Sequence, residues 1–229
     1  MKRILIVGAG GQIGSELTTY LRKIYGASNV VATDVRECGK LAEGGPFEVL
    51  NALDAKAMSS VVERYKIDAI FNLVALLSAV GEKNPQTAWN INIGALMNAL
   101  EVAREYGCAL FTPSSIGAFG PTSPKDKTPQ DTIMQPTTIY GVCKVTGELL
   151  GNYYFRRYGV DTRSVRFPGI ISNVTLPGGG TTDYAVEIYY EAIKAGRFTC
   201  PVPGDVYMDM IYTVSYTHLR AHETELHLV

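Results

Sequence analysis

The stretch RILIVGAGGQIG, residues 3–14, decides how the N-terminal half of this chain folds. It begins with an apolar run of strand length, and the segment after it, IGSELTTYLRKIYG, repeats apolar side chains with the period of a helix. Glycines spaced G-x-x-G-x-x-G at such a junction allow a tight turn and the close approach of a pyrophosphate, which a helix N-terminus attracts. We therefore predict dinucleotide binding at this turn. The predicted contacts are Gly8, Gly11, Gln12, Ile13 and Gly14.

Two carboxylates follow at the ends of the next predicted strands. Asp34 closes NVVATD, twenty residues after Gly14, where it would accept hydrogen bonds from the ribose hydroxyls and repel a 2′-phosphate. This favours NAD over NADP, although Arg36 nearby weakens the preference. Asp54, at the end of FEVLNALD, is predicted to hold the adenine amino group, with Leu53 against the ring. A helix N-cap is an equally good interpretation of Asp54.

Strands and helices alternate along the rest of the chain. The helical segments AKAMSSVVERYK and TAWNINIGALMNALEVAREYG flank the strand DAIFNLVA, while CALFTPSS and TRSVRFPGI bring the count to at least six strands. This alternation predicts an α/β fold with a doubly wound, Rossmann-like parallel sheet. Ligands of such sheets bind beyond the carboxyl ends of the strands. The residues expected beside the cofactor at later strand ends are Leu73, Val74, Ala75 and Pro168.

The composition is that of an ordinary soluble protein. The chain has 229 residues, of which 46% are hydrophobic and 19% charged, and its formal net charge is −1. This balance indicates neither a nucleic-acid partner nor a membrane surface, and no apolar run is long enough to suggest a transmembrane helix. The four cysteines form no C-x-x-C pair, which favours reduced thiols over a disulfide framework or a zinc site. The first strand starts too early to follow a signal peptide, so we expect a cytoplasmic location.

A tyrosine and a lysine lie four residues apart in TIYGVCKVTGELL, residues 138–150. On a helix, Tyr140 and Lys144 project from the same face. An ammonium beside a phenol stabilises the phenolate and lowers its pKa, which would make Tyr140 a proton acceptor near neutral pH. An isolated Y-x-x-x-K is more often an ordinary surface pair, so the remaining motifs decide between the two.

With the glycine turn, Asp34, PSSIGAFG and YGVCK in order, the chain resembles the extended short-chain dehydrogenase/reductase family, which is NAD-dependent epimerase/dehydratase-like. The resemblance implies that a Ser after the fifth strand joins Tyr140 and Lys144 as the catalytic group. Ser115 has the matching position, four residues before Phe119, and Ser114 is the neighbouring candidate. The resemblance also implies contacts of Tyr140 and Lys144 with the cofactor.

Within that family, the segments LVALLSAVGEKNP, PSSIGAFGP, RFPGIIS and PGGGTTDYAVEIYYEAI resemble the L-threonine 3-dehydrogenase branch. This implies oxidation of the threonine 3-hydroxyl by NAD to 2-amino-3-oxobutyrate. The substrate-binding residues that the resemblance implies are Ser78, Ser115, Tyr140, Thr181 and Thr182. Ser78 has an alternative interpretation as a turn cap, and the two threonines have one as a helix N-cap.

The chain changes character near its C-terminus. We expect a dinucleotide-binding domain over residues 1–171, a partial and incomplete substrate-binding lobe over 172–212, and a non-native tail over 213–229. The tail contains all three histidines, but HLRAH lacks the glutamate of H-E-x-x-H, so we expect no metal site. Truncation of the lobe would weaken or abolish turnover.

Two other functions remain open at this point. A nucleotide-sugar 4-epimerase or dehydratase of the same family would use the same cofactor site, and a non-catalytic NAD-binding sensor would need no catalytic tyrosine. The family commonly forms homodimers through the helices around residues 92–106 and 140–154, so a homodimer is the expected assembly.

Overall fold

A computed structural model describes residues 3–172, 174, 176, 178 and 180–213 of the chain. The ten strands in this part are β1 (Ile4–Val7), β2 (Val30–Asp34), β3 (Phe47–Val49), β4 (Ala69–Asn72), β5 (Ala109–Phe111), β6 (Ser114–Ser115), β7 (Thr162–Arg163), β8 (Arg166–Phe167), β9 (Gly169–Ile171) and β10 (Met210–Tyr212). The seven α-helices are α1 (Gln12–Tyr25), α2 (Gly39–Glu43), α3 (Ala55–Tyr65), α4 (Ser78–Lys83), α5 (Pro85–Tyr106), α6 (Ile139–Tyr158) and α7 (Tyr184–Ala195). The predicted tail lies outside the described residues, apart from Thr213.

Six parallel strands form the central sheet, in the order β3-β2-β1-β4-β5-β7. The chain runs outward from β1 to β3 and then crosses back to β4, so the order reverses between β1 and β4. This confirms the predicted doubly wound, Rossmann-like fold. The reversal opens a crevice at the carboxyl ends of β1 and β4, which is where such sheets bind ligands.

All four residues of β1 are buried, because both faces of the sheet are covered. Leu5 and Val7 pack into one apolar cluster with side chains of α3 and α5. Ile4 and Ile6 point to the opposite face and pack with Leu17 of α1. Alternate side chains of one strand therefore anchor two helical layers.

Several predicted strands are shorter than the apolar runs suggested. CALFTPSS divides into β5 and β6 around Pro113, and TRSVRFPGI divides into β7, β8 and β9, with Pro168 between the last two. Proline has no N–H to donate to a ladder, so it interrupts pairing. The separated pieces pair elsewhere: β6 pairs with β8, and β9 pairs with β10.

Arg22 of α1 is a buried cation that binds β2 and the segment between β2 and β3, near one edge of the sheet. Its guanidinium donates hydrogen bonds to the carbonyl oxygens of Val30, Leu41 and Pro46, at 3.3, 2.5 and 2.6 Å. Burial lowers the pKa of Arg22 below its ordinary value. These three bonds hold the segment between β2 and β3 against α1.

Within the described residues, no helix combines the length and the apolar character needed to cross a membrane.

Candidate functional site

The glycine turn lies at the crevice between β1 and β4. Gly8 has a positive φ of 86°, and a Cβ built there would lie 3.2 Å from Val74 Cγ2. A Cβ at Gly14 would lie only 2.3 Å from the carbonyl oxygen of Gly8. Leu73, beside Val74, donates its backbone N–H to Val7 at 2.9 Å. The turn therefore needs glycines both for its backbone conformation and for the close packing of α1 on β1.

Asp34 faces this turn from the end of β2. Its Oδ2 accepts a hydrogen bond from the backbone N–H of Gly10 at 2.9 Å, and its Oδ1 accepts one from Arg36 N–H at 3.3 Å. A Cβ at Gly10 would meet Cys38 Sγ at 2.7 Å and Asp34 Oδ2 at 2.9 Å. Gly10 was not among the sequence-predicted contacts, because its role depends on the approach of β2 and not on the glycine spacing.

The turn has the features that a pyrophosphate needs. Helix α1 begins at Gln12, and its N-cap residue Gly11 makes no side-chain capping bond, so no side-chain cap competes with a phosphate for the N–H groups of the first turn. The Nε2 atom of Gln12 is buried and has no hydrogen-bond partner among the described residues. A buried donor of this kind costs free energy unless a ligand pairs with it. Ile13 packs partly against the apolar cluster on the α1 side of the sheet. The residues present thus fit a dinucleotide.

Asp54 serves as the N-cap of α3. Its Oδ1 accepts a hydrogen bond from Ala57 N–H at 3.0 Å, as in the N-cap interpretation of the sequence. Leu53, which precedes it in the chain, is 46% exposed. Contact of either residue with adenine stays a prediction.

Ser115, Tyr140 and Lys144 are brought together where β6 meets α6. Ser115 Oγ and the Tyr140 ring both lie beside Gly117, and the interaction of the Ser115 hydroxyl with Tyr140 acts to lower the pKa of the tyrosine. Lys144 Nζ lies 5.2 Å from the centroid of the Tyr140 ring and donates to the carbonyl oxygen of Pro113 at 2.7 Å. The pair is therefore half-buried in the site and is not an exposed surface pair.

Two glycines allow this approach. A Cβ at Gly117 would lie 3.3 Å from the Tyr140 ring, and a Cβ at Gly141 would lie 2.2 Å from the carbonyl oxygen of Gly117. Gly117 also donates its N–H to Ser115 Oγ at 3.0 Å. The start of α6 can thus pack directly against the loop after β6.

The expected lowering of the Tyr140 pKa by Lys144 is not found in the protein by itself. Burial raises the pKa of the Tyr140 hydroxyl above its ordinary value, and the hydrogen bond with Ser115 offsets only part of this rise. Burial also lowers the pKa of Lys144, to about 8. The ammonium is directed to the Pro113 carbonyl oxygen, and Lys144 is not among the groups that shift the Tyr140 pKa, so the i, i+4 spacing alone does not give a phenolate.

Ser114 points to the other side of β6. It is buried, and its hydroxyl donates to Glu148 Oε1 at 2.5 Å. Successive residues of a strand face opposite ways, so Ser114 and Ser115 cannot both face Tyr140. The structure therefore brings Ser115, and not Ser114, to the tyrosine.

Two of the residues expected to bind substrate, Ser78 and Thr181, meet in the folded chain. Ser78 Oγ and Thr181 Oγ1 are 2.8 Å apart, although the two residues are separated by 103 positions in the sequence. Thr182 packs close to Gly169, where a Cβ would meet its side chain at 2.8 Å. Neither threonine caps α7, whose N-cap residue is Asp183.

Two further predicted contacts lie in the same region. Pro168 joins β8 to β9 and is half-buried. Ala75 lines a cavity of about 30 Å³ together with Lys144 and Asn72. Residues 3–172, 174, 176, 178 and 180–213 contain no group of three or more His, Cys, Asp or Glu side chains that could hold a metal ion, and the three histidines lie outside these residues.

Comparison with known proteins identifies relatives over nearly the whole chain. An uncharacterized epimerase/dehydratase of Staphylococcus haemolyticus is 60% identical over 214 residues, which are 93% of this chain and 67% of the relative. The structure is similar to the L-threonine dehydrogenase of Clostridium difficile, with a TM-score of 0.90, 53% identity and coverage of 95% of this chain and 69% of that one. It is also similar to the holo form of an L-threonine dehydrogenase from Cupriavidus necator, with a TM-score of 0.93, 47% identity and coverage of 98% and 73%.

The NAD dependent epimerase/dehydratase family matches residues 4–217. The match agrees with the glycine turn, with Asp34 and with the fold, and it confirms NAD as the cofactor. From the geometry and these likenesses together, we conclude that the chain belongs to the NAD-dependent epimerase/dehydratase family and is an NAD-dependent oxidoreductase-type enzyme.

Proposed function

We propose that this protein oxidises the 3-hydroxyl of L-threonine to 2-amino-3-oxobutyrate with NAD. The proposal is carried by one observation: Lys144, which lies beside Tyr140, lines a cavity at the carboxyl end of β4 together with Val74, and Val74 lies against Gly8 of the glycine turn. The similarity to L-threonine dehydrogenases supports threonine as the substrate.

In this proposal the protein positions NAD along the turn. The α1 N-terminus and Gln12 bind the pyrophosphate, and Asp34 binds the adenosine ribose. Leu73, Ala75 and Pro168 would flank the cofactor, and Leu53 and Asp54 would border its adenine. When bound, NAD supplies a hydride acceptor and a positively charged ring.

The chain's own side chains would handle the proton. Tyr140 Oη takes the proton of the substrate hydroxyl, and Ser115 Oγ donates a hydrogen bond to the same oxygen as negative charge develops on it. Lys144 stabilises the phenolate electrostatically across the 5.2 Å to the ring centroid. Because burial opposes ionisation of Tyr140, the tyrosine acts as a base only through the stabilising effects of Ser115 and Lys144 on its phenolate.

Threonine would be recognised by hydroxyls on both sides of the crevice. The pair Ser78 and Thr181, with Thr182 beside it, offers hydrogen bonds to the amino and carboxylate groups of the substrate. We assign these residues to a partial substrate-binding lobe over 172–212 that packs on a dinucleotide-binding domain over 1–171.

The test is NADH formation by the wild-type protein with L-threonine, with L-serine and a UDP-sugar as comparison substrates. Tyr140→Phe should lower turnover by about 10²–10⁴-fold, which is the usual contribution of general acid–base catalysis. Tyr189→Phe is the matched control, because Tyr189 is 70% exposed on α7. Full turnover by Tyr140→Phe would contradict the mechanism, and turnover of the UDP-sugar without that of threonine would favour the epimerase.

We also propose a homodimer through α5 and α6. Both helices expose large apolar side chains, which cost free energy in water and are typical of interfaces. They include Trp89 on α5 and Leu149, Tyr153 and Phe155 on α6. Light scattering should give twice the chain mass, and Leu149→Lys should shift the protein to monomer.

A further inference from the structure

A buried polar cluster lies behind the serine of the site. Glu148 of α6 accepts the Ser114 hydroxyl at 2.5 Å and binds the Arg166 guanidinium through two hydrogen bonds, of 2.9 and 2.7 Å. The remaining guanidinium nitrogen of Arg166, Nη1, donates to the carbonyl oxygen of Gln130 at 2.9 Å. The cluster therefore joins one helix, two strands and the loop that precedes α6.

Its burial distinguishes this ion pair from the others in the described residues. The Glu148 and Arg166 side chains are only 13% and 17% exposed, whereas those of Arg64 and Glu48 are 60% and 22% exposed. Burial acts to raise the pKa of the Glu148 carboxyl, but the hydrogen bonds from Arg166 and Ser114 outweigh it and hold this pKa below its ordinary value. Glu148 is thus held as a carboxylate in a desolvated place.

The cluster is connected to Ser115 and Tyr140 through α6 and β6. Glu148 follows Tyr140 and Lys144 by eight and four residues, so the three share one face of α6. Ser114 pairs with Arg166, and Ser115 with Phe167, in the β6–β8 ladder. Glu148 binds Ser114 on one side of β6, and Ser115 projects from the opposite side of this strand, toward Tyr140.

Arg166 adds a second connection to the same loop. Its guanidinium carbon lies 5.4 Å from the centroid of the Phe119 ring. Phe119 ends the short turn that contains Gly117, and this turn packs on the Tyr140 ring. A displacement of Arg166 would therefore also displace Ser115, both through β6 and through this turn.

We propose that Glu148 is a positioning residue that holds the Ser115 hydroxyl against Tyr140, by fixing α6 to β6 and β8 through Ser114 and Arg166. Glu148 touches neither Ser115 nor the tyrosine, so it acts through the strand. This inference rests on the proposed function, in which Ser115 and Tyr140 act on the substrate.

The test is a double-mutant cycle on turnover. Glu148→Gln keeps the size of the side chain but removes the charge that binds Arg166. We expect it to lower kcat about tenfold or more, because a displacement of about 1 Å in a catalytic group can cost about 10²-fold. The KM for NAD should change less than twofold. In a Ser115→Ala background, Glu148→Gln should cost almost nothing, since the group it positions is already absent.

Glu48→Gln is the matched control, because it breaks the Arg64–Glu48 pair, which is more exposed than the Arg166–Glu148 pair. It should leave kcat unchanged. Wild-type kcat in Glu148→Gln, or an equal loss with and without Ser115, would overturn the proposal. The second outcome would mean that Glu148 only stabilises the fold.

Crystal structures of the wild type and Glu148→Gln with NAD give a reading that needs no substrate. We expect the Ser115 Oγ to Tyr140 Oη hydrogen bond to be present in the wild type and broken in the variant. An intact bond in Glu148→Gln would overturn the positioning role even if threonine proved not to be the substrate. Absence of threonine turnover in the wild type, with this bond broken in the variant, would contradict only the proposed function.

Discussion

Gly14→Ala is the sharpest test of the glycine turn. The new Cβ would lie 2.3 Å from the Gly8 carbonyl oxygen, 2.7 Å from Ala9 Cα and 2.9 Å from Ala9 C, and ordinary contacts begin near 3.4 Å. All three atoms belong to the backbone of the turn, so no side-chain rotation relieves the clash. Helix α1 must move away from β1 by about 1 Å, which opens the pyrophosphate site.

The size of the effect follows from two opposing contributions. Overpacking costs about 1–3 kcal/mol, with rigid backbone neighbours toward the upper end, while alanine gains about 1 kcal/mol over glycine inside a helix. The net loss is about 2 kcal/mol in the free energy of unfolding, which corresponds to a Tm lower by about 4–8 °C for a chain of this size. NAD affinity should fall more steeply, because the helix N-terminus no longer meets the phosphates.

The assay is thermal unfolding together with NAD titration by calorimetry. Gly39→Ala is the control, since a Cβ at Gly39 meets nothing within 4 Å. Its Tm should be unchanged or slightly raised. A Gly14→Ala protein that kept the wild-type Tm and NAD affinity would refute the reasoning from close packing.

Two more predictions concern groups with a measurable cost or gain. Lys144→Met should abolish turnover and raise the free energy of unfolding at pH 7 by about 2 kcal/mol. Burial of the ammonium destabilises the folded protein by about 3 kcal/mol, and its hydrogen bond to the Pro113 carbonyl oxygen stabilises it by about 1 kcal/mol. The pKa of Lys144 is about 8 in the folded protein, whereas its ordinary value is 10.5. The full destabilisation by the buried ammonium is therefore present below pH 8 and is lost as the pH rises from 8 to 10.5. Chemical denaturation at several pH values checks this, and a variant less stable than the wild type at pH 7 would contradict it. Asp54→Ala should lower the free energy of unfolding by about 1 kcal/mol and the Tm by about 2–4 °C, because the N-cap of α3 is lost. Asp54→Asn should keep the wild-type Tm, because asparagine also caps helices. An equal Tm for the two variants would argue against the cap.

The sequence by itself determined the fold and predicted where on it the cofactor binds. The buried run of β1, the glycines after it and Asp34 at the end of β2 are all local signals, because strand alternation, turn glycines and helix starts depend on neighbouring residues. The i, i+4 spacing of Tyr140 and Lys144 also follows from helix geometry alone. These elements were predictable because no distant contact was needed to specify them.

Only the tertiary structure decided which side chains of the candidate site meet and how burial shifts their pKa values. The choice of Ser115 over Ser114 depends on the pairing of β6 with β8, and Ser78 meets Thr181 across 103 positions of sequence. The rise in the pKa of Tyr140 comes from the burial of its hydroxyl, which no spacing records. Burial and long-range pairing are properties of the folded chain, and they override the local expectation wherever a buried group must be desolvated.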